Sequence, residues 1–187
     1  MNETYPVVRR LTNQRFLRSH RVAGMAAAEA EASLQGLRVA QEILELAEVP
    51  ASRVVAGLLD IAEGETVFVR RRLLTLVHDR SAEGTPLQLA DSYLPLDIAE
   101  ARIREADAGP GGTYARIEEH GHTLTRFEEQ HWPRPATEDE RRQLGLQPGE
   151  HVIELHRVAY AGDRAVECFI SAMAADRHRF EYDVAAD

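Results

Sequence analysis

Apolar side chains recur along this chain at two spacings, the alternate-residue spacing of a strand and the three-to-four spacing of a helix. Val67–Leu76 is rich in β-branched and aromatic residues and predicts a strand, and a turn over Asp79–Gly84 returns the chain as a second strand over Leu87–Tyr93. A later pair of strands, Val152–Tyr160 and Val166–Ala172, is joined at Gly162-Asp163. Thr123–Trp132 reads as another strand, and Asp176–Tyr182 closes the chain. Helical spacing marks the segments between. Ser52 caps a short helix with Val54, Val55, Leu58 and Leu59 on one side, and Thr137 with Glu140 forms a capping box for a second. Ala23–Leu34 is an alanine-rich helix that Gly36 can end in a left-handed conformation. Pro95 is expected to open a helix reaching Ala106, and the stretch from Thr113 to His120 to form one that Gly121 stops. Leu37–Glu48 fits a helical stripe through Leu37, Ala40, Leu44 and Ala47 better than it fits a strand. Residues 1–20 hold no sustained period and read as an arm; residues 1–22 are therefore set apart from a domain over 23–187. Hairpins with helices inserted between them give an α+β fold, a mainly antiparallel sheet flanked by helices.

The chain also says the same thing twice. PASRVVAGLLDIAEGETVFVRRRLL from Pro50 is echoed by PATEDERRQLGLQPGEHVIELHRVA from Pro135. Gly64 and Gly149 match at an offset of 85, which also pairs Ser52 with Thr137, Leu59 with Leu144, Val67 with Val152 and Arg72 with Arg157. Two such units side by side predict an internal pseudo-repeat in which Arg72 and Arg157 approach one pocket. That arrangement suits a receptor for a small ligand.

Composition narrows the chemistry. At 187 residues, 44% hydrophobic and 28% charged, the chain can bury a core as one domain. Its formal net charge of −9 argues against direct nucleic-acid binding, where phosphate neutralisation supplies most of the affinity. All 22 basic residues are arginine, which excludes a phosphate-loop lysine and Schiff-base chemistry. Cys168 is the single cysteine, so neither an internal disulfide nor a cysteine-based zinc site is expected. The chain shows no leader and no long apolar run, and the expectation is a cytoplasmic protein without membrane contact.

Several residues are candidates for ligand contact. Arg70 and Arg72 share a strand face with Phe68 while Arg71 points away; they are either solvated or a two-pronged grip for a carboxylate or phosphate. The GPGG run at Gly109–Gly112 places backbone N–H groups at a helix start beside Thr113, which suits an anion, although turn chemistry alone also explains it. Tyr114 is either a core aromatic or a ring whose polar tip meets a cleft. Glu167, at the position matching Gln88 in the first unit, faces solvent or holds a ligand or an arginine. His120 and His122 flank Gly121 and read as helix capping rather than a metal pair; Asp176-Arg177 reads as an ion pair ending a strand. No nucleophile elbow, HExxH helix or close carboxylate pair stands out, so no catalysis, cofactor or metal is expected.

Taken in order, the strand RRRLL, the return GTPLQLADSYLPLDIA, GPGGTYARIEEHGH, RFEE, PGEHVIELHRVAY and AADRHRFEYD resemble the UTRA domain over Gly24–Asp183. That family is the effector-binding half of GntR-type transcription regulators of the HutC branch. The resemblance implies a chorismate lyase-like fold, a homodimer, a small-molecule pocket near the sheet centre, and a strand over Leu37–Glu48. In relatives that sense phosphorylated amino sugars, two arginines on the first long strand hold the phosphate, the loop before the middle helix adds hydroxyls, and a late acidic residue holds the sugar. Arg72 matches the first arginine; Leu74 stands at the second, for which Arg70 is a substitute on the same face. Tyr114 and Glu167 match, Gly112 replaces a usual serine beside Thr113, and Ala90 replaces a frequent glutamate. The implied ligand residues are thus Arg70, Arg72, Gln88, Thr113, Tyr114, Arg157 and Glu167, and the implied effector is an anionic or hydroxylated metabolite, sugar-like compounds among them. PVVRRL resembles the connector that follows a winged helix-turn-helix; no such domain is present in the residues given, and DNA contact is expected only through it. The rival expectation from the same fold is an enzyme similar to chorismate lyase, acting on a small aromatic carboxylate.

Overall fold

Strand and helix propensities are realised in a computed structural model, which describes residues 7–11, 15–77 and 84–182. In chain order the elements are β1 (Val8–Leu11), α1 (Arg18–Val22), α2 (Ala27–Ser33), β2 (Arg38–Pro50), α3 (Arg53–Leu59), β3 (Thr66–Val77) and β4 (Thr85–Pro95). A 3-10 turn (Ala101–Arg104) leads to α4 (Gly112–Glu119), β5 (Arg126–Pro135), α5 (Glu138–Leu144), β6 (His151–Ala161) and β7 (Arg164–Ala174). A second 3-10 turn (Ala175–Arg177) ends in β8 (His178–Glu181). The α+β expectation holds: six antiparallel strands form one sheet in the order β2-β3-β4-β7-β6-β5, and β1 pairs in parallel with β8. The β3-β4 and β6-β7 hairpins are therefore central, with β2 and β5 at the edges.

Local chemistry explains the helices. The Ser52 Oγ accepts from the Val55 N–H at 3.3 Å, and Asp60 takes a left-handed φ of 55° to end α3. At α5 the capping box is complete: Thr137 Oγ1 accepts from Glu140 N–H and Glu140 Oε2 accepts from Thr137 N–H at 2.8 Å. Both helices cover one face of the sheet. Val55, Ala56 and Leu59 pack with Val67, Val158 and Cys168, while Leu144 packs with Val152, Ala172 and Ala174. Each fully buried leucine or valine there contributes about 1.5–3 kcal/mol. On the opposite face a cluster of Phe68, Leu94, Ile98, Ile103, Tyr114 and Ile117 joins the sheet to α4 and the first 3-10 turn.

Several sequence expectations are corrected. Leu37–Glu48 is not a helix but most of the edge strand β2, as the family resemblance implies. A bulge between Ile43 and Glu45 interrupts its alternation and leaves Leu44 exposed, which produced the helix-like spacing. Pro95 does not open a helix; it ends β4 opposite Val67, and only the short 3-10 turn follows. The segment read as an arm holds β1, which pairs with β8, and α1, which packs on α4. The alanine-rich helix expected over Ala23–Leu34 is the shorter α2, α1 lies before it in the segment read as an arm, and the strand placed over Thr123–Trp132 starts at Arg126 and runs to Pro135. Of the turn placed over Asp79–Gly84, all but Gly84 lies outside the described residues, as do residues 1–6 of the arm and Asp183 of the closing motif.

Candidate functional site

Because successive side chains of a strand point to opposite faces, the three arginines of β3 part company. Arg71 goes to the α3 side and is half-exposed between Glu45 (2.9 Å) and Asp91 (3.2 Å). Arg70 goes the other way and is 1% exposed; it donates to the backbone carbonyls of Ile103, of Glu105 at 2.5 Å and of Ala106 at 3.3 Å. Burial, and then the charge of Arg72, lowers its pKa to about 10. It fastens the chain after the first 3-10 turn to the sheet. Arg72, on the same face, donates to Ser92 Oγ at 2.5 Å and keeps a buried Nε without a partner among the described residues.

The other half of the sheet supplies Arg157. It is 4% exposed, 3.4 Å from Glu129, and its guanidinium lies over the rings of Phe169 (4.1 Å) and Phe16 (5.0 Å). Glu167 is also buried and accepts a hydrogen bond from the Tyr114 hydroxyl at 2.7 Å. Burial pushes the Tyr114 phenol above its ordinary pKa; Glu167 adds to that rise while Arg157 opposes it. The phenol thus stays protonated and donates. Both readings of Tyr114 apply: its ring packs near Phe16 and Phe127 and its polar tip reaches the site. Gln88 is buried, with Oε1 accepting from Arg10 at 3.2 Å.

The seven residues singled out by sequence surround one cavity of about 430 Å³. Arg70, Arg72 and Gln88 come from the first hairpin, Arg157 and Glu167 from the second, and Thr113 and Tyr114 from the first turn of α4. Leu74, Ala90 and Phe169 give it an apolar wall. Leu74 and Ala90, which the family resemblance sets against a basic and an acidic residue, both face the cavity. The GPGG loop approaches it on glycines that are obligatory. Gly111 has a φ of +80°, and an added Cβ there would lie 2.6 Å from the Cβ of Ala115. The expectation of free N–H groups is corrected for all three that the run carries: Gly109 N–H donates to Asp107 Oδ1 at 2.8 Å, Gly111 N–H to Gly24 O at 2.7 Å and Gly112 N–H to Gly109 O at 3.0 Å.

Sequence reasoning missed Arg15, which also lines the cavity and is 4% exposed. It lay in a stretch without period, and nothing local marked it. Among the described residues no group of three metal-ligating side chains exists; His120 sits at the C-cap of α4, 3.6 Å from Glu100. The Asp176–Arg177 contact is long, at 3.6 Å, whereas Arg177 donates to Pro86 O (2.5 Å) and Leu144 O (2.7 Å), tying the end of β7 to both hairpin units.

Comparison with known proteins supplies the family. The model of the UTRA domain matches residues 34–179. An uncharacterized HTH-type transcriptional regulator of Streptomyces coelicolor is 32% identical over 162 residues, 83% of this chain and 58% of that protein. This chain therefore spans little more than half the length of that relative. Among solved structures, PhnF of Mycobacterium smegmatis superposes with a TM-score of 0.77 at 24% identity, covering 98% of this chain and 74% of PhnF. Its effector domain superposes at 0.75 over 96% of this chain and 100% of that one, also at 24% identity. The ligand-binding domain of a putative GntR-family regulator from Bordetella bronchiseptica gives 0.66 at 25% identity, over 79% of this chain and 90% of its own. With the family model covering most of the sequence and the fold matching effector domains, this chain belongs to the UTRA domain family.

Proposed function

We propose that this domain binds a small anionic metabolite in the cavity between its two hairpins and passes that event to a DNA-binding domain of the same regulator. As a UTRA domain it is the effector-binding part of a transcriptional regulator. The observation that carries the ligand reading is the meeting of Arg72 and Arg157, from opposite halves of the sheet, at one cavity of about 430 Å³. That volume falls in the range of small-molecule sites. Guanidinium groups recognise carboxylate and phosphate through paired N–H donors, and they do so more strongly where water is excluded. Thr113 and the Glu167–Tyr114 pair offer hydroxyl-directed contacts, while Leu74, Ala90 and Phe169 accept an apolar portion of the guest. The favoured effector is therefore a carboxylate or phosphate ester with a partly apolar body, rather than a phosphosugar.

In this reading the protein works as a cytoplasmic homodimer without catalysis. An effector shifts the dimer between arrangements only by the difference in its affinity for them. Among the described residues no helix is long and apolar enough to cross a membrane. The domain is taken to include the arm from Val8 onward, since β1 is part of its folded body. A thermal-shift screen of cell metabolites tests the reading: a ligand that stabilises the parent and has no effect on Arg72→Ala supports it. An Arg72→Ala variant that keeps every response removes that residue's role, and sustained release of pyruvate from chorismate would replace the sensor with an enzyme.

A further inference from the structure

The site is not built from the sheet alone. Arg15 belongs to the arm between β1 and α1, yet its side chain lines the cavity and is 4% exposed. Its Nε and Nη1 are buried without a hydrogen-bond partner among the described residues, and the carboxylate that pairs with it, Glu31, is 3.9 Å away and also pairs with Arg10 at 3.2 Å. Arg10 in turn has buried, unpartnered Nε and Nη2 groups. Charge does not balance here. Among the described residues, the guanidiniums of Arg10, Arg15, Arg70, Arg72 and Arg157 cluster with Glu31, Glu129 and Glu167 as buried or largely buried counter-charges. The terminal nitrogens of Arg70 donate to carbonyls and Arg157 is paired with Glu129 at 3.4 Å, so the least compensated positive charge at the cavity falls on Arg15 and Arg72. Buried cations in that condition are expensive unless a partner arrives.

Arg15 also sits at the start of a mechanical chain. Its guanidinium lies over the ring of Phe16 at 4.9 Å, and Phe16 stacks on Phe127 of β5 at 4.3 Å. The carbonyl of Phe16 accepts from Arg21 of α1 at 2.7 Å, and Arg21 grips both oxygens of Glu118 in α4 at 2.9 and 3.0 Å. The first turn of α4 forms another wall of the same cavity.

We propose that Arg15 is a ligand-binding residue, the third guanidinium of the anion site, and that anion binding therefore fixes the N-terminal arm onto the sheet. This rests on the ligand reading given above and adds to it the arm, the one part of the site that leads toward the N-terminus. Two guanidiniums come from the sheet and the third from the arm, so the site is complete only when residues 15–22 are docked. An anion must then bind the docked state more tightly and raise its population.

The test uses the full chain with inorganic phosphate and phenyl phosphate as probes, by calorimetric titration and by amide hydrogen exchange resolved to residues 8–11 and 15–22. Arg15→Met keeps the hydrocarbon over Phe16 and removes the charge; Arg15→Ala removes both. Loss of a charge-assisted contact predicts affinity about 10- to 100-fold weaker in both variants. In the parent, saturating probe should slow exchange in the arm severalfold, and in Arg15→Met it should not. Parent-like affinity in Arg15→Met together with its loss in Arg72→Ala removes the arm from the site and leaves the cavity reading standing. Binding without any change in arm exchange refutes the docking step. Failure of the parent to bind any anion, in this titration and in the metabolite screen, overturns both.

Discussion

Replacing Tyr114 by Phe removes one oxygen and little else. The ring stays between Phe16, with centroids 6.4 Å apart, and Phe127, at 5.3 Å, so packing is conserved and the lost interaction is the 2.7 Å hydrogen bond to Glu167. A hydrogen bond to a charged partner contributes about 1.5–3 kcal/mol, and its loss leaves a buried carboxylate oxygen short of a donor. Glu167 is 2% exposed, so water replaces the hydroxyl poorly, and a loss of about 2 kcal/mol is expected. For a domain of this length that is a fall in Tm of roughly 4–8 °C. Urea unfolding of the parent, Tyr114→Phe, Glu167→Gln and the double variant separates the pair energy from the single effects. The reasoning requires a coupling of about 1.5 kcal/mol with unchanged m-values. A Tyr114→Phe variant within about 0.5 kcal/mol of the parent, or additive single effects, would refute it.

Other expectations follow from the same geometry. Gly111→Ala forces a side chain into a φ of +80° and against Ala115, and should cost about 1–3 kcal/mol in urea unfolding; a neutral effect would mean the loop relaxes freely. His178 is 7% exposed with its Nδ1 bonded to Ala174 O at 2.9 Å, and burial, with the nearby charge of Arg10, holds its pKa down at about 3. The unfolded chain takes up that proton first, so the contribution is complete above pH 6.5 and lost as pH falls from there toward 3, by up to about 1.4 kcal/mol per unit. His178→Gln should flatten that part of the urea-stability profile. Burial pushes the Cys168 thiol up to about 12, so thiol reagents should leave it intact in the folded protein and label it in urea.

The sheet was legible in the sequence wherever strands are central and their alternation is unbroken. Val67–Leu76, Val152–Tyr160 and the two capped helices appear within a few residues of their expected ends. The edge strand β5 was legible apart from its bounds, whereas the other edge, β2, was not. β2 pairs on one side only, carries Glu42, Glu45 and Glu48, and a bulge shifts its register, so tertiary pairing decides what pattern does not. Pro95 shows a different failure. Its backbone geometry serves a helix start or a strand end equally, and only its place opposite Val67 selects between them. Site residues on the strands were readable because alternation puts Arg70 and Arg72 together and the offset of 85 links Arg72 to Arg157. Arg15 was not, since its neighbours in space come from β6, α2 and the arm itself, and sequence spacing carries no trace of them.

The claim beneath all of this is that buried guanidiniums from both hairpins hold an anionic small molecule. Native mass spectrometry of the protein, equilibrated with a cell extract and desalted, tests it most directly. The account predicts a bound anion of a few hundred daltons at most on the parent, absent from Arg72→Ala and from Arg157→Ala. A parent that emerges bare from every extract, or variants that carry the same adduct undiminished, would contradict it.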